Sequence, residues 1–444
     1  MRRIGWVAVG LLIIVLAGGI AFFQTGSSPI VSFVTVGQDP WPLAIGEWTS
    51  RAFVYNRTDG TVSTINTVTG ALVRTVAAGS QFAFMAVDQR THRLFVSSGD
   101  NHVYMLDTRN GLVLRQITDS STTSPRHVVV DERSNHVFVG HRDSTLVTML
   151  DARSGATLRE IPACGGSFIM AASARTGHIF AKCNDGYTDM LDARTGRVLR
   201  QVATPSMWGW GVVDERTDRF FAGGDSPPRV DVLDARTGAH VATIKNVNCP
   251  GVPTVDEQTG HVFVSLITQS NPNGNGYVAP RQPEVLMLDG WTGAVLRRLI
   301  VADNPNPVVV DDKTGHILVA SAGPVNTAND PTGYGVLSVL DGTTGRVLRT
   351  VPLGVNPADM GVDARSGRVL VANETVNLSN SLQTGLSATL TTSPPETAWA
   401  RRRRQMLDSV KRLVPGWLPF RVTVPPRPSP PTKGTVTTLD LARL

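Results

Sequence analysis

The amino-acid sequence predicts an all-β fold, an eight-bladed β-propeller, and two recurring turns are the basis for this prediction. The first is an LDARTG-type turn, in which Asp or Asn is followed four residues later by Gly. The second is a VDERTG-type turn that alternates with the first along the chain. Through Asp234, successive copies of the first turn are 41 to 44 residues apart. Two hairpins in such a period give four strands, which is the content of one propeller blade.

Both columns of turns predict a structural role for their acidic residues. Asp at the start of a tight turn accepts hydrogen bonds from backbone N–H groups, and Gly supplies the left-handed residue that closes the loop. Because active sites are usually unique, this recurrence argues against catalytic carboxylates. The first column comprises Asn66, Asp107, Asp151, Asp192, Asp234, Asp289, Asp341 and Asp440; the second has eight copies, which begin at residues 45, 87, 130, 172, 213, 255, 310 and 362.

Closure of the ring is predicted from the two ends of the repeats. We name the four strands of a blade a to d from the axis outward. After Asp440 the last blade has no strand d of its own, but IVSFVTVGQDPWPL at 30–43 matches VLRTVPLGVNPADM at 347–360. We therefore expect residues from the beginning of the chain to supply that strand and leave no open sheet edge. Seven blades is the alternative if one set is irregular.

The repeats resemble the YVTN-type repeats of β-propeller proteins. The resemblance rests on strands such as VDERSNHVFV and hairpins such as VLDGTTGRVLRT, followed by loops such as LGVNP. It covers residues 30–373 and 434–444. Members of these superfamilies include periplasmic binding proteins, lactonase-like proteins and the large subunit of quinoprotein amine dehydrogenases. The resemblance therefore implies the fold and leaves the reaction open.

The first 28 residues are predicted to be a membrane anchor or a signal sequence, and residues 29–444 the propeller. Residues 4–23 carry no charge and follow two arginines. As a helix they reach roughly 30 Å, enough to cross a bilayer with the N-terminus inside. The alternative is a cleaved signal peptide, because residues 19–21 have a small-x-small pattern. Both interpretations place the propeller on the extracytoplasmic side, either anchored in the cell membrane or secreted.

Charge and cysteine content restrict the partners. The net charge of +6 equals that of residues 374–433 alone, so the propeller itself is close to neutral and no nucleic-acid partner is expected. Three cysteines fit an exported protein with at most one internal disulfide. Cys164 and Cys183 flank the hairpin of strands a and b in blade 4, which makes them the expected pair, and Cys249 the free thiol. The protein is expected to be a monomer.

Three long insertions in consecutive blades indicate a binding face. All three join strand b to strand c, so they lie on the face opposite the turns, and long loops on a rigid scaffold commonly bind ligands. Amides and tyrosines there suit a polar ligand, a glycan or a protein partner. The alternative is that the three insertions bind nothing and are simply tolerated by the scaffold. The candidates in the first two insertions, 266–283 and 321–335, are Asn271, Asn273, Asn275, Tyr277, Arg281, Asn326, Asn329, Asp330 and Tyr334.

The third insertion, 374–433, is basic, proline-rich and partly helical by prediction. A helix is expected over 396–414, with Trp399, Met406, Val410 and Leu413 on one face. This stripe is expected to pack over the propeller, with docking to a partner or contact with a membrane surface as alternatives. The tail 424–433 is typical of a polyproline spacer.

A few side chains on the insertion-bearing face or near the axis depart from the repeat. Arg126, His127 and His141 of blade 3 are candidates for an anion-binding or acid–base site, with a polar strand end as the alternative. Trp208 and Trp210 are candidates for stacking with a ring, and core packing is the alternative for both. Asp359 contributes one carboxylate near the axis.

The sequence contains no GxSxG, HExxH, Walker or dinucleotide-binding motif. No cofactor and no metal site are predicted, and any catalytic residues are unknown. The prediction is a membrane-anchored extracytoplasmic propeller that serves as a ligand- or protein-binding platform through its insertion-bearing face. The alternatives are an enzyme of lactonase or lyase type with a site at the central funnel, and a structural protein of the cell envelope.

Overall fold

The computed structural model shows eight four-stranded antiparallel sheets arranged around an axis. It describes residues 14–16, 19–21, 29–80, 83–118, 125–142, 144–163, 166–205, 210–245, 247, 251–266, 283–322, 334–374 and 433–444.

Each blade contributes strands a to d in chain order. Blade 1 has Pro40–Gly46, Arg51–Asn56, Thr61–Asn66 and Leu72–Ala77, and blade 2 has Ala83–Asp88, Arg93–Ser98, His102–Asp107 and Val113–Thr118. Blade 3 has Pro125–Asp131, His136–His141, Leu146–Asp151 and Thr157–Pro162, and blade 4 has Ser167–Ser173, His178–Cys183, Tyr187–Asp192 and Val198–Ala203. Blade 5 has Gly211–Asp214, Arg219–Asp225, Pro228–Asp234 and His240–Lys245, and blade 6 has Thr254–Asp256, His261–Leu266, Glu284–Asp289 and Val295–Ile300. Blade 7 has Pro305–Asp311, His316–Ser321, Tyr334–Asp341 and Val347–Val355, and blade 8 has Pro357–Asp363, Arg368–Asn373, Thr435–Asp440 and Ile30–Thr35. Two short 3-10 helices are Glu47–Thr49 and Leu441–Arg443.

The last blade is closed by the beginning of the chain, as predicted. Strand d of blade 8 is Ile30–Thr35, which pairs antiparallel with Thr435–Asp440. Thr35 lies opposite Thr435 and Val34 opposite Val436. The prediction of eight blades with a shared terminal blade is confirmed, and the seven-bladed alternative is wrong.

The recurring turns have the hydrogen bonds that their sequence predicts. In blade 4, Asp192 Oδ1 accepts from the backbone N–H and the hydroxyl of Thr195, both at 2.7 Å. Gly196 closes the turn at a φ of +71°, a conformation that glycine adopts without steric cost. The turn aspartates therefore stabilise hairpins.

The core lies between neighbouring blades. Each strand b buries an aromatic or aliphatic side chain at its centre; Phe138 and Phe180 are among the fully buried ones, and Phe180 stacks on Phe220 of the next blade at a centroid distance of 4.5 Å. The recurring histidines tie the blades together at the turn face. Nδ1 of His136 lies 2.9 Å from Ala193 O, and Nδ1 of His178 lies 2.8 Å from Ala235 O. These contacts give the recurring histidines a structural role.

Carboxylates on the turn face also link successive blades, a feature that the sequence reasoning missed. Glu215 of blade 5 accepts from the backbone N–H groups of Ala174 and Arg175 in blade 4, at 2.6 and 2.9 Å. Glu257 of blade 6 accepts in the same way from Glu215 and Arg216, both at 3.1 Å. In blades 5 and 6, the residue after the a–b turn aspartate therefore binds the backbone of the preceding blade.

The residue two positions after each turn aspartate, or after Gly46, Asn66 or Ser173 in the turns that lack one, forms the tip of the turn and is exposed. We call these sixteen positions the turn tips. In the a–b turns they are Trp48, Arg90, Arg133, Arg175, Arg216, Gln258, Lys313 and Arg365, and in the c–d turns they are Val68, Arg109, Arg153, Arg194, Arg236, Trp291, Thr343 and Ala442.

The predicted transmembrane helix over 4–23 is not observed where the structure describes that segment. Residues Ile14–Leu16 and Gly19–Ala21 form two short antiparallel strands, with Val15 opposite Ile20. β-branched residues in this segment favour strands. A helix would be required only if the segment crossed a bilayer, where its backbone groups must be hydrogen-bonded internally. Within the described ranges, no helix has the length and apolar character needed to cross a membrane. The predicted helix over 396–414 lies outside the described residues.

Candidate functional site

Four aromatic rings from four different blades meet on the axis at the face that carries the insertions. We call Trp41, Phe84, His127 and Trp210 the axial aromatic cluster. The ring centroids of Phe84 and His127 are 4.0 Å apart, and Trp41 meets Phe84 edge-on at 5.3 Å. Trp210 lies 5.6 Å from His127 and 6.2 Å from Phe84. Since blades 2 and 5 are not neighbours, this short distance means that the rings reach across the channel.

The register of strand a explains why these rings converge. Phe84, His127 and Trp210 all lie four residues before the aspartate that ends strand a of their blade. In blades 1 and 3 the ladder between strands a and b shifts register, between Pro40 and Leu43 and between Pro125 and Val128. Such bulges change the direction in which side chains project from a strand. Trp41 and His127 lie within these irregular stretches, which turn them from the sheet towards the axis.

The rings of the axial aromatic cluster are only half-buried. A cluster that served the core alone would be expected to bury its rings fully, as the phenylalanines between the blades do. The cluster therefore presents aromatic surface at the mouth of the channel.

Guanidinium groups lie over two of the rings. The Cζ atom of Arg57 is 5.5 Å from the ring centroid of Trp41, and that of Arg126 is 6.0 Å from Phe84. Arg57 also forms ion pairs with Asp39 and Glu374, both at 3.0 Å. Burial raises the pKa of Glu374, as does the nearby charge of Asp39, while Arg57 opposes the shift. The blade 8 to blade 1 boundary therefore carries a compact charged network beside the cluster, where the third insertion leaves the propeller.

Two ionisable groups of this layer have shifted pKa values. Burial lowers the pKa of His127 to about 3, and the charge of Arg126 contributes, so its imidazole is neutral at neutral pH. Asp359 occupies the equivalent position of blade 8, four residues before Asp363. Burial raises the pKa of Asp359 to about 6, although its oxygens accept from the backbone N–H groups of Leu43 at 2.7 Å and Met360 at 2.8 Å. The layer thus combines neutral rings with one carboxyl that exchanges a proton near pH 6.

The candidate residues of blade 3 separate into two environments. Arg126 and His127 lie at the axis, whereas His141 is fully buried and its Nε2 lies 2.9 Å from Thr148 Oγ1. Asn56 of blade 1 makes the equivalent bond to Ser63 at 3.0 Å. The register explains the difference, because His141 ends strand b, where the side chain faces strand c of its own blade.

Most of the remaining candidates lie outside the described residues. These are Asn271, Asn273, Asn275, Tyr277, Arg281, Asn326, Asn329, Asp330, Trp208, Cys164 and Cys249. Tyr334 begins strand c of blade 7, and its side chain is not described. Cys183 is disulfide-bonded, and the pairing with Cys164 stays a prediction.

Sequence reasoning missed Trp41, Phe84 and Arg57. A signal for Phe84 was available, because it occupies the same position of the repeat as His127 and Trp210. Trp41 had no such signal, since it lies one residue further from the end of its strand. Among the described residues, no group of three or more His, Cys, Asp or Glu side chains is arranged to hold a metal ion.

The sheets and their closure define the chain as an eight-bladed β-propeller with an aromatic, charged mouth on its insertion-bearing face. The chain matches no protein-family model and no curated protein sequence. Its fold is similar to the crystal structure of BamB from Moraxella catarrhalis, at 16% identity and a TM-score of 0.55 over 78% of this chain and 96% of that one. The computationally designed Ika8 protein is similar at 14% identity and a TM-score of 0.60, again over 78% and 96% of the two chains. The dihydro-heme d1 dehydrogenase NirN, in complex with DHE, is similar at 13% identity and a TM-score of 0.57 over 74% of this chain and 75% of that one. At such identities these similarities show the fold alone.

Proposed function

We propose that this protein is a membrane-anchored, extracytoplasmic propeller that binds a ring-containing polar ligand at the mouth of its channel. The observation that carries this proposal is the axial aromatic cluster, in which rings from blades 1, 2, 3 and 5 meet while each remains half-buried. Rigid scaffolds that converge side chains from several elements on one concave point are a common basis for ligand sites.

The chemistry of the cluster favours a flat or sugar-like ligand. Stacking against such rings contributes about 0.5–1.5 kcal/mol for each aromatic pair beyond the area that is buried. The neutral imidazole of His127 adds a hydrogen-bonding group without a charge to desolvate. The insertions of blades 6 to 8 leave the same face of the propeller, and we propose that their Asn and Tyr side chains complete the site.

Membrane anchoring is a separate part of the proposal. Its support is the uncharged stretch 4–23 behind Arg2 and Arg3. Sodium carbonate extraction of membranes that contain the full chain tests this part directly. Retention in the membrane pellet is expected, and release into the supernatant, or an N-terminus that begins after residue 21, would show cleavage or peripheral association instead.

Ligand binding is tested with defined probes and a matched pair of variants. Maltotriose, chitotriose and indole-3-acetate are titrated against the full chain by isothermal calorimetry and thermal shift. A probe that binds is expected to lose about tenfold in affinity in Trp210→Leu, which removes one stacking partner. The control is Trp291→Leu, which removes a tryptophan from the opposite face. Equal affinity of a probe for both variants would place its site elsewhere and contradict the proposal.

A further inference from the structure

The turn face carries an ordered layer of positive charge. Of its sixteen turn tips, ten are Arg or Lys, two are Trp and none is acidic. Four successive c–d tips, in blades 2 to 5, are Arg109, Arg153, Arg194 and Arg236. All of these side chains are exposed. The fold requires only the turn aspartate and glycine, so it does not itself dictate a basic residue at the tip.

Most acidic groups of the same face lie beneath the tips, whereas Glu257 and Asp312 are exposed. The aspartates of the a–b turns are buried and those of the c–d turns are half-buried. They are bonded to their own turns; Asp151 Oδ1, for example, accepts from the Ser154 N–H at 2.7 Å. The glutamates accept from the backbone of the neighbouring blade, as Glu215 does from Ala174. Several tip arginines bind carbonyl oxygens: Arg175 Nη1 donates to Glu215 O at 2.9 Å. Two of the ten basic tips, Arg175 and Arg236, also form ion pairs with Asp218, at 3.4 and 2.6 Å. A carbonyl leaves the cationic charge in place, so the outermost layer is positive although the face as a whole carries both signs.

Aromatic side chains project from the same layer. Trp48 and Trp291 are 66% and 54% exposed, which is unusual for tryptophan in a folded protein. The guanidinium of Arg365 lies 4.6 Å from the ring of Trp48, so a cation and an indole project together. Tryptophan next to arginine is favoured at the boundary between lipid headgroups and acyl chains.

The membrane anchor proposed above would bring this face towards a bilayer. Strand d of blade 8 begins on the turn face, where Pro29 O accepts from Asp440 N at 2.8 Å. The proposed anchor ends at residue 23, six residues earlier. Six extended residues span about 20 Å at most. The opposite face is a further strand length away, well beyond the Debye length of about 8 Å at physiological salt.

We propose that the turn face docks on the surface of a bilayer that contains anionic phospholipid. The tip arginines bind lipid phosphates, and Trp48 and Trp291 insert at the headgroup level. Docking fixes the propeller with its aromatic mouth pointing away from the membrane. This inference rests on the proposed anchoring but not on ligand binding at the mouth.

In the test, the full chain is reconstituted into two kinds of vesicle. One contains phosphatidylcholine alone, and the other also contains about 30% phosphatidylglycerol, an anionic phospholipid. Hydrogen–deuterium exchange followed by mass spectrometry is expected to show slower exchange of turn-face peptides in the anionic vesicles only. Peptides from the opposite face are expected to be unchanged. The added protection is expected to be lost in 0.5 M NaCl, a salt concentration chosen to screen the contacts.

A matched pair of variants separates docking from net charge. Arg153→Gln with Arg194→Gln removes two tip charges, and protection is expected to fall about fivefold for each arginine removed. Lys245→Gln with Arg297→Gln removes two exposed charges from strands d, away from the tips, and is expected to leave protection unchanged.

Three results would overturn docking: equal protection in both kinds of vesicle, equal losses in the two double variants, or full protection by soluble dextran sulfate without anionic lipid. The last result would assign the face to an acidic polymer instead. Failure of anchoring is recognised separately, because carbonate would then release the chain from the vesicles.

Discussion

Because residues 30–35 close the ring, we predict that substitutions on the two faces of this strand have different effects on stability. Ile30 and Val34 are half-buried and pack against the core clusters of blade 8 and its neighbours. Val31 and Phe33 alternate with them and are 39% and 60% exposed. Truncation to alanine should therefore destabilise the protein on one face of the strand and not on the other.

The expected magnitude follows from burial. Truncating a fully buried aliphatic side chain to alanine costs about 2–4 kcal/mol, and a half-buried one about half of that. The double variant Ile30→Ala with Val34→Ala should therefore lose about 3 kcal/mol of unfolding free energy. Unfolding entropy is about 2.1 cal/mol/K per residue, which for 444 residues amounts to about 0.9 kcal/mol/K. The melting temperature should fall by about 3 °C.

The assay is thermal unfolding followed by far-ultraviolet circular dichroism. The control variant, Val31→Ala with Phe33→Ala, is expected to shift the melting temperature by less than about 1 °C, because exposed substitutions change stability little. A larger shift in the control than in the inward-facing variant, or no shift in either, would mean that this strand does not close the ring in solution.

Three further predictions concern single positions. Because the folded state raises the pKa of Asp359 to about 6, this group stabilises the protein at low pH and the contribution is lost as the pH rises through about 6. The melting temperature of the wild type minus that of Asp359→Asn should therefore fall between pH 3 and 7, a range that spans the unfolded-state pKa of about 3.9 and the folded-state pKa of about 6. A difference that does not depend on pH would contradict the shift. Gly60→Ala should be more destabilising than Gly177→Ala in urea titrations: both glycines have positive φ, but only at Gly60 would a Cβ collide with a neighbouring backbone carbonyl oxygen. The Gly177 variant should lose about 1–2 kcal/mol from conformation alone, and equal losses would refute the packing argument. If Cys183 pairs as predicted, Cys249→Ser should leave no thiol that reacts with Ellman's reagent in the unfolded, unreduced chain; two reactive thiols would show the other pairing.

Much of the architecture followed from local rules that repeat along the chain. The turn at Asp192 and Gly196 needs only a carboxylate and a left-handed residue, so its sequence specifies it without reference to the rest of the fold. The eightfold recurrence of these turns gave the blade count. Closure of the ring could also be predicted, because residues 30–35 resemble the strand d that the last blade lacks. The structure confirmed both.

Only part of the candidate site could be predicted from the sequence. His127 and Trp210 were identified because they break the repeat, but nothing in the sequence places them 5.6 Å apart. His141 was grouped with His127 on the basis of proximity along the hairpin. The structure separates them because one side chain faces the axis and the other faces its own blade.

The sequence by itself determined the strands, the turns, the number of blades and the way in which the ring closes. The strands, the turns and the number of blades depend on hydrogen bonds and hydrophobic periodicity within about one repeat. Closure could be predicted because residues 30–35 resemble the strand d that the last repeat lacks. The tertiary structure decided which side chains meet on the axis and which charges form the outer layer of the turn face. Those arrangements depend on bulges in strand a and on the packing of blades that are distant in the chain, and local patterns carry no information about either.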